Sequence, residues 1–244
     1  MIVTYRGHVN RFLSCASRPP GGSCLRKTML TEVLLVMAGL MLATVGQWIA
    51  FDQTAPFFQS FDTKVKHEWV NRMNSTVMTA LITCFAAIQG YTSQWGSAVS
   101  IAYFLHDMAH MLLYESDITA YGHHIVSLAV TWLLKTEMLP HQAETVATSL
   151  AILESTSPLV NTTWLLNKAG YSDHPFFKYV AIAMAAWFGI QRVLVFPWLI
   201  ATRADTPTKF LFSPLIALNI YWFYKIVILA RKKLAVQSGT EKEI

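Results

Sequence analysis

The chain has 244 residues, 54% of them hydrophobic and 14% charged, with a formal net charge of +5. A soluble domain carries about 25% charged residues to cover its surface, so this composition argues against a water-soluble globule and for helices that face lipid. No basic stripe lies outside the apolar pattern, which assigns the positive charge to anionic headgroups and not to nucleic acid.

Residues 1–28 form a separate segment. They hold Arg6, Arg11, Arg18, Arg26 and Lys27 and no acid, and Pro19-Pro20-Gly21-Gly22 interrupts any helix. Such a start is either an organelle transit peptide or a disordered basic tail on headgroups; the tail is the favoured reading. Cys15, Cys24 and Cys84 are too few and too irregular for a disulfide framework or a zinc site.

A helix needs about 20 apolar residues to cross the hydrocarbon core. Runs of that kind lie at about 29–51, 75–91, 96–114, 121–139, 143–166, 176–202 and 210–230, the last stopped by Arg231-Lys232-Lys233. The expectation is an all-α polytopic membrane protein of about seven transmembrane helices. Its short breaks make antiparallel neighbours. The one long connection, about 52–74, carries Lys64, Lys66, Glu68 and Arg72 and reads as an amphipathic helix on the membrane surface. It ends in the glycosylation sequon Asn74-Ser75-Thr76, whose occupancy would report the side the loop faces. A second sequon, at Asn161, falls inside a span and reads as a chance match. Lys and Arg divide nine against seven between the two sides, which does not set the orientation.

Ionisable groups at mid-bilayer cost about 2.5–3.5 kcal/mol each on insertion scales, so they face a bundle interior or a cavity. The third span carries His106, Asp107 and His110, and the fourth His123-His124 followed by Ser127 and Thr131. The fifth carries Glu154, Ser157, Pro158 and Asn161, the sixth Gln191 and Arg192, and the seventh Asn219. Spacing brings Asp107 near His110 on one helix face, and adjacent His123 and His124 point about 100° apart. Glu154 and Arg192 are the expected buried ion pair. The plainer role for these groups is to hold helices together, at about 0.6 kcal/mol per polar contact. His106, His110, His123 and His124 could be weighed as metal ligands, but Asp107 stands where a zincin has its catalytic glutamate. No metal is expected. No G-x-S-x-G nucleophile elbow occurs.

An ordered series of residues runs from His67-Glu68-Trp69-Val70-Asn71-Arg72 through Ser75, Thr79-Ala80, Gly90-Tyr91, Tyr103-Phe104-Leu105, Asp107 and His123-His124. It continues through Leu153-Glu154-Ser155-Thr156, Pro158, Asn161, Trp164, Phe188 and Arg192-Val193. This series resembles the TLC domain, named for TRAM, Lag and CLN proteins. The chain is more similar to the small TLC-domain-containing transmembrane proteins than to the ceramide synthases of that family. The resemblance implies a six-helix barrel around a central cavity plus one flanking helix. It also divides the chain into a tail (1–28), a flanking helix with the start of the loop (29–59), the TLC domain (60–231) and a polar C-terminal tail (232–244). In the synthases the His-His pair belongs to the active-site motif, with a downstream His-Asp and a further Asp. Here His123 and His124 match the pair, while Ala147, Thr148 and Leu150 stand where the downstream residues would be.

Two readings follow. In the first, the protein binds or senses a lipid chain in an intramembrane cavity lined by Asp107, His123, His124, Glu154, Asn161 and Arg192, and contributes to lipid homeostasis. In the second, it is a ceramide-synthase-like N-acyltransferase with His123 and His124 catalytic. The first needs no cofactor; in the second, acyl-CoA enters as substrate. Membrane lipids are the expected partners, and the endoplasmic reticulum or another endomembrane the expected location. Oligomeric state stays open, a homodimer included.

Overall fold

The computed structural model describes residues 23–89, 94–114, 118–135 and 140–237, and among these the chain is almost wholly helical with no strand. All seven apolar runs lie largely within helices. The two terminal tails fall mostly outside the described residues, as does much of the 92–95 connection.

The first helix, α1 (Ser23–Thr54), begins within the segment expected as tail. It turns Leu34, Leu35, Leu42 and Val45 outward and buries Val33 and Leu40. Pro56 has no N–H to continue the ladder, so the chain restarts as the single turn α2 (Pro56–Gln59). Phe58 of that turn is fully buried, within ring contact of Trp48, Phe51 and Phe61.

The third helix, α3 (Thr63–Gln89), corrects the sequence reading. Residues 63–74 do not form a separate surface helix; they are the first three turns of one rod that carries on through the second apolar run. Asp62 starts it, its carboxylate accepting from the Val65 N–H at 2.8 Å. The charged look of this stretch misleads because its charges pair along the edge. Lys66 meets Asp52 at 3.0 Å and Arg72 meets Glu68 at 2.9 Å, while Trp69, Val70, Asn71 and Asn74 turn inward. Asn74 is buried and donates to Thr44 Oγ1 at 2.7 Å, so the sequon there is not on a surface loop.

Helices α4 (Gln94–Tyr114) and α5 (Ile118–Lys135) follow. The fifth run is broken into α6 (Ala143–Glu154) and α7 (Ser157–Lys168). Pro158 explains the break: its ring clashes with the carbonyl four residues back and it has no N–H to donate. The helix α7 ends at Gly170, whose φ of +82° is the left-handed conformation that glycine adopts freely. Around it the Tyr171 N–H reaches the Leu166 carbonyl at 3.0 Å and the Gly170 N–H the Asn167 carbonyl at 3.2 Å, a Schellman stop.

The sixth run is one continuous rod: α8 (Pro175–Phe188), a π-helical stretch (Gly189–Val195) and α9 (Phe196–Arg203). The last helix, α10 (Thr206–Gln237), is capped by Asp205, which accepts from the Thr208 N–H at 2.9 Å. Asp205 is exposed, and the Thr208 side chain and N–H beside it hold its carboxyl below the usual range.

Among the described residues, three helices are long and apolar enough on their own to cross a membrane: Leu30–Thr54, Pro175–Arg203 and Thr206–Lys232. Of the others, α4 and α5 carry His106, Asp107, His110, His123 and His124, which lowers their mean hydropathy, and α6 and α7 have only 12 residues each. Neighbour relations run from α3 to α4, α4 to α5, α5 to α10, α10 to the π-helical rod, that rod to α6 and α7, and α7 back to α3. The first helix packs outside this cycle, against α3 and α4.

Candidate functional site

Inside the cycle lies a cavity of about 590 Å³. Every helix of the cycle except α9 contributes to its wall. The polar side comes from Asn71, Ser75, Asp107, His123, His124 and Glu154; Met184, Phe188, Trp222, Ile226 and Leu229 form the apolar side. A volume of several hundred Å³ is the size of small-ligand sites, and this wall is rich in polar groups, with Lys64, Glu68, Arg72, Arg192 and Lys225 on it as well.

The first histidine–carboxylate unit is Asp107 with His124. The Asp107 Oδ2 lies 2.9 Å from His124 Nε2, and Asn71 Nδ2 donates to the other carboxylate oxygen. Both residues are buried. An acceptor facing Nε2 selects the tautomer with its proton there, which places the lone pair of a neutral ring on Nδ1. Behind this unit Ser75 Oγ lies 2.9 Å from the Tyr103 hydroxyl and accepts from Asn161 Nδ2 at 3.1 Å.

The second unit is looser. His123 Nε2 is 3.8 Å from Glu154 Oε1, beyond hydrogen-bond reach. Glu154 Oε2 accepts from Ser157 Oγ at 3.2 Å, while its Oε1 and His123 Nδ1 are buried with no hydrogen-bond partner. The two imidazole planes are perpendicular, 89° apart with centroids at 5.3 Å, and adjacent helical positions send the two side chains in different directions. Each therefore finds an acid on a different helix, His124 on α4 and His123 on α6.

Arg192 departs from expectation. It makes no ion pair with Glu154. Its Nε donates to Thr156 Oγ1 and one Nη2 to the Leu153 carbonyl, each at 2.6 Å, and Nη1 reaches Asn219 Oδ1 at 3.2 Å. The guanidinium lies over the Phe188 ring at 5.1 Å. Two local distortions make this arrangement. The break after Glu154 frees the Leu153 carbonyl from its ladder, and the extra residue per turn in the π-helical stretch rotates Arg192 toward it. Such bulges frequently occur at functional sites. Ser157 stands between the expected partners, donating to Glu154 and accepting from Arg192 at 3.4 Å.

The remaining histidines of the third span separate. His106 turns out of the cavity to Thr44 Oγ1 of α1, at 3.2 Å. His110 lines the cavity. The expected Asp107–His110 pairing gives way to the cross-helix contact with His124. Asn161 belongs to the site, but as a bridge between α7 and α3: its Oδ1 accepts from Arg72 Nη1 at 3.2 Å. Arg72 in turn is held by Glu68 and lies over Trp164 at 4.6 Å.

Residues 34–228 match the family model of the TLC domain. The chain belongs to the TLC-domain family. No curated protein and no solved structure matches it. Family and apolar helices together make it an integral membrane protein with a lipid-related role. In this TLC domain Ala147 and Leu150 are packed in the main apolar core. Neither therefore stands in for a missing acid, and the acids facing the histidine pair, Asp107 and Glu154, come from elsewhere in the fold.

Six site residues are expected from the sequence: Asp107, His123, His124, Glu154, Asn161 and Arg192. All six line the one cavity. Asn71, Arg72, Ser75, Tyr103 and Thr156 also belong to the site, beyond the six that the sequence marks. A signal for the first three was present: Glu68, Asn71, Arg72 and Ser75 recur at helical spacing, i, i+3, i+4 and i+7, marking one polar face that continues into an apolar run.

Proposed function

We propose that this protein holds a single lipid in its intramembrane cavity, with the chain along the α8 and α10 side and a polar group at the histidine–carboxylate units, and so takes part in membrane lipid homeostasis. The observation that carries this reading is the two-sided lining of one 590 Å³ cavity. The reading includes seven spans, with the six-member cycle of residues 60–231 as the barrel and the 29–59 segment flanking it, in the endoplasmic reticulum or another endomembrane. Native mass spectrometry of the detergent-solubilised protein tests it. Wild type should carry about one lipid per chain, and Ala120→Trp, which puts an indole into the cavity, should carry much less. A wild type that retains no lipid refutes the reading.

A second reading is favoured by one contact, the 2.9 Å His124–Asp107 pair. A carboxylate that orients an imidazole is the arrangement of a general base. In an N-acyltransferase the ring would take the proton of an attacking amine as its nitrogen bonds to the acyl carbon of acyl-CoA. The carbon–sulfur bond breaks and the CoA thiolate leaves, to be protonated to the thiol. Ceramide formed from labelled acyl-CoA and a sphingoid base by purified protein, and lost in His124→Ala, supports it. No product from folded protein refutes it.

A further inference from the structure

His110 has no role in either reading, yet it lines the same cavity. Its Nε2 is buried and has no hydrogen-bond partner. The ring is not loosely placed. It packs on Tyr114 at 4.9 Å and on His67 at 6.1 Å. His67 is stacked on Tyr114 at 4.0 Å and 16°, and Trp48 of α1 closes the row at 4.3 Å from His67. Four rings from three helices thus fix a bare ring nitrogen beside the cavity. Burying such a nitrogen unpaired is costly, and a ligand group that meets it recovers that cost.

We propose that His110 is a second polar contact for the ligand. The lipid held in this cavity then carries a hydroxyl or amine beyond the group that meets the histidine–carboxylate units. His110 sits three residues after Asp107 on α4, so the two contacts are about one helical turn, roughly 5 Å, apart. That spacing matches a headgroup whose hydroxyl lies a few bonds from an ester or amide carbonyl, and not a simple hydrocarbon ester. The inference rests on the proposed reading of the cavity as a lipid site.

The test compares 1-monooleoylglycerol with methyl oleate, which keeps the chain and the ester but lacks the hydroxyls. Binding is measured on purified wild type, His110→Phe and His110→Gln. Phenylalanine keeps the ring contact with Tyr114 and removes the nitrogen; glutamine keeps a polar group. Wild type should prefer the glycerol ester by roughly fivefold, the worth of one neutral hydrogen bond. The preference should vanish in His110→Phe and persist in His110→Gln, with melting temperatures unchanged. Equal affinity of wild type for both probes, or a His110→Phe effect that lowers both alike, overturns this inference while leaving the lipid site standing. Binding of neither probe to wild type refutes the lipid site itself.

Discussion

Asp107→Asn should uncouple the cavity's central polar unit. The substitution keeps an oxygen that can accept from Asn71 but removes the charge that His124 Nε2 meets at 2.9 Å. Both residues are buried, so little water replaces the lost contact. A hydrogen bond to a charged group is worth about 1.5–3 kcal/mol, and we take about 2. For a chain of this size each kcal/mol moves the melting temperature by about 2–4 °C, so the variant should melt about 4–8 °C lower. The assay is thermal unfolding of the purified protein in one detergent, for Asp107→Asn, His124→Gln and the double variant. Residues in direct contact are non-additive: the double variant should melt close to the worse single one. Shifts that simply add would refute the contact as the source of the effect.

Three further outcomes are expected. Thr156→Val removes the hydroxyl that Arg192 Nε meets at 2.6 Å and should lower the melting temperature by about 4–8 °C, while Thr156→Ser should stay near wild type. Gly189→Ala places a Cβ 2.9 Å from Phe223 Cε2 and should cost about 1–3 kcal/mol through overpacking, recovered by Phe223→Leu and read as a reversal of the melting shift. The Asp205 carboxyl is depressed by Thr208, so its capping contribution is full at neutral pH and fades as pH falls through that lowered value. Melting curves of wild type and Asp205→Ala should therefore differ at pH 7 and converge in acid; a constant gap would contradict the cap.

The helices were legible because their apolar runs are long and their breaks carry proline, glycine or charge. The first turns of α3 were not, because Lys64, Lys66, Glu68 and Arg72 resemble a surface face until their partners are known. Asp52 and Asn161, one from α1 and one from α7, supply that information, and both are distant in sequence. The site residues were legible from cost: a charge inside an apolar run needs an interior. Their pairings were not. Glu154 and Arg192 look complementary on paper, but the break at Pro158 and the π-helical turn give Arg192 a carbonyl and a hydroxyl instead. Likewise the acids that face His123 and His124 lie on other helices, at Glu154 and Asp107, where no short motif links them.

A density map of the purified protein in lipid nanodiscs tests the lipid-site reading most directly. The account predicts one elongated feature in the cavity, its polar end beside His124 and Glu154 and its chain along Met184, Phe188 and Ile226. A cavity collapsed shut, or filled only by separate water-sized peaks, would contradict it.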